Sequence, residues 1–128
     1  MTRLAIVGDI AILLLFAAIG RSSHNEGGGV LATIAVAAPF LVGWFVAAAW
    51  TRPYARQALR SVRNAVIITL RTWLAGGIIG LVIRSILEWR ITPLTFVVIA
   101  LGFNGVFLCA WHAALARFAT RCRMQSSG

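Results

Sequence analysis

The sequence predicts an all-α polytopic membrane protein: four transmembrane helices in an up-down bundle, with both termini in the cytoplasm. Three observations predict it. First, 60% of the 128 residues are hydrophobic, 12% are charged, and mean hydropathy is +0.89. An ordinary soluble domain carries about 25% charged residues, and a soluble chain this small would still expose much of its surface. Second, the apolar residues fall into four runs, each near the ~20 residues that carry a helix across ~30 Å of hydrocarbon. Third, the arginines gather at one side of these runs, as charge-directed insertion requires. Strands are set aside: no ~10-residue alternating pattern repeats, and hydrocarbon admits only helices or closed barrels.

The first span covers residues 4–20, "LAIVGDIAILLLFAAIG". With Arg3 ahead of it and small residues at Ala18 and Gly20, it has the outline of a secretory signal. Asp9 in its apolar core argues for a retained span. The most polar stretch follows, "IGRSSHNEGGG", and reads as a turn whose Gly27, Gly28 and Gly29 break the helix. The second span, residues 30–50, contains Pro39, where a kink is expected. The central connection, "TRPYARQALRSVRN", carries Arg52, Arg56, Arg60 and Arg63. If helical, these line one face and meet anionic headgroups while their stems lie along the interface. The bland reading makes them a topology signal only. The third span covers residues 65–87. The fourth covers 93–116, with Pro93 suited to its first turn, and residues 117–128 form a basic tail.

The net charge is +9, all from arginine, since the chain has no lysine. Arg3, Arg52, Arg56, Arg60, Arg63, Arg117, Arg121 and Arg123 fall on one side of the spans; Arg21 and Arg90, with Arg84 close by, fall on the other. The arginine-rich side is the cytoplasmic one. A basic soluble protein would suggest nucleic acid. Arginines set between apolar runs point to lipid headgroups, and no nucleic-acid partner is expected. Cys109 and Cys122 are expected to be free thiols: thirteen residues of helix span roughly 20 Å, beyond disulfide reach.

Two charges lie inside the spans. A charge at the bilayer centre costs about 2.5 to 3.5 kcal/mol on insertion scales. Asp9 is roughly 9 Å past Arg3, and Arg71 roughly 12 Å past Arg63, counted along a helix. Entering from the same side, they are expected to pair. The pair is either a proton or cation carrier, with Arg71 tuning Asp9, or a structural bridge that fixes helix register. A permanently paired acid is a poor proton carrier, which favours the structural role. On the outer side, Arg21, His24, Glu26, Arg84 and Glu88 form a candidate polar cluster, with too few ligands for a metal. His112 lies near the cytoplasmic end of span four and cannot join them. Gly76 and Gly80 form a GxxxG face for close helix contact, within the fold or between copies, and Asn104 is expected to hydrogen-bond another helix. Trp50, Tyr54 and Trp89 are candidate interfacial anchors. No nucleophile triad, phosphate loop or zinc signature occurs, so no cofactor and no enzymatic activity are expected.

"GRSSH" after span one, "PFLVGW" in span two, "TW" followed by "GLVIR" in span three, and "PLTFVVIA" in span four occur in that order. The chain resembles the small prokaryotic integral-membrane family catalogued as domain of unknown function 3054. The resemblance covers nearly the whole chain. It implies a four-helix membrane protein with a role for Arg21, His24 and Arg84, and carries no catalytic or binding assignment. Small multidrug exporters and fluoride channels are also four-helix chains that dimerise, but the likeness is one of size. The functional expectation is transport of a small solute or ion by a homo-oligomer in the bacterial plasma membrane. The alternative is a non-catalytic accessory subunit packed against another membrane protein.

Overall fold

The computed structural model describes residues 1–23 and 28–126, apart from the side chain of residue 23. Four helices make up nearly all of it: α1 (Thr2–Ser23), α2 (Gly29–Thr51), α3 (Val62–Glu88) and α4 (Leu94–Ser126). All four are long and apolar enough to cross a membrane. Among the described residues there is no strand. The four expected spans coincide with the four helices.

Local chemistry sets the ends. Gly28 and Gly29 take positive φ, a region open to glycine at little steric cost. Arg52 closes α2 in the left-handed conformation and donates its N–H to the Ala48 carbonyl. The Ser61 side chain caps α3 by accepting from the Asn64 N–H. Pro93 precedes α4, as expected.

Two segments differ from expectation. The central connection is not an α-helix: residues 52–57 turn, and only Ala58–Arg60 form a short 3-10 helix. Pro53 is buried at its start, and proline without an N–H cannot continue the preceding helix. Arg52, Arg56, Arg60 and Arg63 therefore do not share one helical face. Conversely, the basic tail is not a separate segment, because α4 continues through it to Ser126.

The helices pack as a ring of neighbours, α1–α2–α3–α4, and α2/α3 is the most extensive contact. Glycine explains it. A Cβ at Gly43 would strike the Gly76 carbonyl oxygen and lie 2.8 Å from the Gly80 nitrogen; one at Gly76 would meet the Gly43 and Trp44 backbone at 2.9 Å. The GxxxG face of α3 is thus consumed within the fold, against Gly43 and Phe40. Below this seam two apolar layers form. One, of Ala5, Leu59, Ala65, Leu115 and Ala116, lies toward the arginine-rich end. The other, of Leu13, Phe40, Trp44, Trp73 and Leu108, fills the middle. Ala5, Asp9 and Leu13 are four residues apart and share one face of α1, so Asp9 falls between the layers.

Asn104 is buried, but its amide donates to the Ala100 carbonyl of its own helix at 3.0 Å, not to a neighbour. A four-residue spacing puts that carbonyl directly within reach of the side chain.

Because Gly43 faces backbone, which has no rotamer to yield, Gly43→Ala forces α2 and α3 apart. The expected loss is about 1–3 kcal/mol, read as a lower melting temperature in detergent. Gly102 has open space around its Cβ direction, so Gly102→Ala is expected to be neutral or stabilising by about 0.5–1 kcal/mol.

Candidate functional site

Asp9 is fully buried, and three other elements close around it. The Tyr54 hydroxyl, from the α2–α3 connection, donates to Asp9 Oδ2 at 2.6 Å. His112 Nε2, from α4, lies 3.0 Å from Oδ1 and 3.3 Å from Oδ2. Trp44 Nε1, from α2, donates to the Tyr54 oxygen at 2.7 Å. The order is therefore Trp44 to Tyr54 to Asp9, with His112 on the other side of the carboxyl. The Trp44 and Tyr54 rings also flank the His112 ring, with centroids 6.2 and 6.0 Å away.

This corrects the expected Asp9–Arg71 pair. Arg71 is exposed on α3, while Thr69, Thr72, Trp73 and Gly76 of that helix are buried. At roughly 100° per residue, Arg71 is about 200° round from Thr69, so it points away from the bundle. Depth was shared; helical phase was not. The same depth count finds His112, roughly 7.5 Å inside Arg117.

The chemistry follows from the partners. An ionised Asp9 only accepts hydrogen bonds, so His112 Nε2 must then carry a proton. His112 Nδ1 is buried with no partner among the described residues. A proton added there turns the couple from net −1 to an imidazolium–carboxylate pair of net zero. An arginine in that place would have held its proton permanently. Burial first, then the negative charge of Asp9, hold the Tyr54 hydroxyl well above the ordinary tyrosine value of 10.0, so Tyr54 stays a donor.

Further polar groups lie deeper. Asn104 and His112 share one stripe of α4, two turns apart. Contacts between Val66 and Cys109 and between Trp73 and Leu101 set the α3/α4 register. Thr69 and Asn104 fall between these rungs, and Thr69 Oγ1 and Asn104 Oδ1 are buried without partners among the described residues. Thr51 and Thr72 hydroxyls meet at 2.7 Å, and each also reaches a carbonyl in its own helix. Each hydroxyl has one proton, so only one of these carbonyls is bonded when the two threonines are.

The outer cluster is joined in part. Arg84 bonds Glu88 at 2.7 Å and lies over the Phe96 ring, 4.6 Å from its centroid. Arg90, not among the expected members, adds a second contact to Glu88 at 3.3 Å. Arg21 ends α1, and its guanidinium lies 3.1 Å from a Cβ built on Gly28. His24 and Glu26 lie outside the described residues. Cys109 and Cys122 are free thiols.

A family model described as protein of unknown function (DUF3054) matches residues 6–115. The chain belongs to this family. The DUF3054 match enters in α1, reaches α4, and takes in Asp9, Trp44, Tyr54 and His112, so the whole buried site falls inside it. No curated protein and no solved structure matches the chain.

Two outcomes follow. Tyr54 is the only tyrosine, so tyrosinate ultraviolet absorbance reads it directly. In folded protein it should stay un-ionised where the unfolded chain ionises, near pH 10.0. Its stabilising share is complete below that value and is lost as pH rises through the raised one; Asp9→Asn should move ionisation back down. Separately, His112→Phe leaves the buried carboxylate short of a donor and should cost about 3–5 kcal/mol. Adding Asp9→Asn removes the charge and should recover part of that loss in thermal unfolding.

Proposed function

We propose that this chain is a non-enzymatic membrane protein that binds a proton at the Asp9–His112 couple and uses it to move a small solute or ion. The observation that carries the reading is the contact itself: a carboxyl and an imidazole 3.0 Å apart, 0% and 1% exposed, with one ring nitrogen unpartnered. Intramembrane ionisable groups are costly, and where they persist they mark ion paths and proton relays. A structural bridge has no need of a group that titrates near neutrality, whereas a carrier does. The unpartnered oxygens of Thr69 and Asn104 support a polar track beyond His112.

The middle of the bundle is filled by Leu13, Trp44, Trp73 and Leu108. In this reading the solute passes between copies, as a homo-oligomer in the bacterial plasma membrane. The same filled interior favours a second reading, an accessory subunit packed against another membrane protein.

The test is flux in proteoliposomes with an internal pH dye. Protons alone, fluoride, alkali cations and a quaternary ammonium compound are offered in turn. Wild type should acidify or alkalinise the lumen with one of them. Asp9→Asn and His112→Gln should fall to the protein-free background while keeping wild-type elution from a sizing column. Well-folded wild type without flux, co-purifying with a second membrane protein in mild detergent, would sink the transport reading and favour the accessory one.

A further inference from the structure

We propose that the arginine-rich end of the bundle holds a binding site for a phosphate-type anion, either a free phosphate or a lipid phosphoryl headgroup. The site is a hollow of about 630 Å³, walled by the start of α1, the α2–α3 connection and the last turns of α4. Arg56 and Arg60 enter it from the connection and Arg123 from α4, with Thr2 and Tyr54 as further polar lining. None of its lining residues is acidic.

The chain's own carboxylates do not serve it. Of its three acidic residues, Asp9 is buried with Tyr54 and His112, and Glu88 contacts Arg84 and Arg90 near the far end of α3. Glu26 belongs to the segment joining α1 to α2, outside the described residues. Three guanidinium groups around one hollow repel one another unless an outside anion joins them. Guanidinium forks match phosphoryl oxygens two at a time. The first-turn N–H groups of α1, which have no helical acceptor, begin at Thr2 on the same wall. Leu59 and Phe118 complete the lining with apolar surface, as suits an organic phosphate.

The site is selective among the arginines. Arg52 and Arg63 of the same connection are exposed and do not line the hollow, so a diffuse surface charge and a built site predict different variants. Tyr54 lines the hollow while its hydroxyl holds Asp9, so the occupant would lie one side chain from the buried couple. This inference rests on the hollow alone and stands apart from the flux reading.

The full chain, purified in a neutral detergent, is titrated with inorganic phosphate and with glycerol 1-phosphate, against chloride at matched ionic strength to remove general screening. In parallel, native mass spectrometry scores lipid retained after incubation with phosphatidylglycerol or phosphatidylcholine micelles. Phosphate-specific thermal stabilisation identifies a soluble anion; retention of phosphatidylglycerol alone identifies a headgroup. In either case, binding should weaken tenfold or more in Arg56→Gln/Arg60→Gln and in Arg123→Gln, and hold in Arg52→Gln/Arg63→Gln. All are exposed positions, and far-UV circular dichroism checks that each variant is folded. Equal losses in both sets of variants, or wild type that responds to no phosphate probe, would overturn the site.

Discussion

A carboxylate inside hydrocarbon must be surrounded by donors, and the rest of this structure is arranged around that demand. Asp9 lies one helical turn from Ala5 on one side and from Leu13 on the other, between two apolar layers. Water is not available to solvate it there. The bundle supplies Tyr54 and His112 instead, and Trp44 fixes Tyr54. Losing one donor leaves a charge that no rearrangement of Leu13, Leu108 or Leu115 could satisfy. That is why the α2–α3 connection folds back on the bundle, with Leu59 and Pro53 buried: it must bring a hydroxyl to α1.

Close packing makes this geometry possible. Lipid tails are as apolar as leucine, so helices in a membrane gain little from hiding apolar surface and associate through close contact and hydrogen bonds. Gly43 meets Gly76 and Gly80 backbone to backbone, which puts α2 and α3 near enough for the Thr51 and Thr72 hydroxyls to touch. On α1, a Cβ at Gly8 would collide with the Trp111 indole, whose N–H reaches the Ala5 carbonyl at 3.3 Å. Small residues therefore set the spacing on both flanks of Asp9, and large aromatic rings fill what remains.

The spans were legible because composition and length suffice for them: each apolar run became a helix with ends displaced by a few residues, except where α4 runs on through the tail. The charged interior was half legible. Depth, counted from flanking arginines, placed Asp9 correctly near the arginine-rich end and placed Arg71 at a similar level. Phase was also written in the sequence. Gly76 and Gly80 mark the inward face of α3, and Arg71, five residues before Gly76, falls well off it. The Asp9 partner on α4 could have been found by the same count. Tyr54 could not, since its approach depends on a turn whose path no periodicity encodes, and the arginine spacing there mimics a helix. Arg71 on the outer face has its own physical resolution. Side chains lean toward the N-terminus of their helix, which for α3 is the arginine-rich end, so its stem runs toward the interface as a snorkelling arginine does.

Tyr54 gives the two ends of the polar system a common member. Its ring belongs to the wall of the arginine-lined hollow, and its hydroxyl belongs to the buried acid. Any ligand that ordered the connection would hold that hydroxyl on Asp9 and so favour the ionised carboxyl; any proton that neutralised Asp9 would loosen Tyr54 and with it the hollow's wall. Linkage makes the two effects equal in size. Their size is bounded by what one charge-assisted hydrogen bond is worth, about 1.5–3 kcal/mol. That corresponds to a factor of roughly ten to one hundred in affinity, enough for a small bundle with a filled core to couple one end to its interior without a large conformational change.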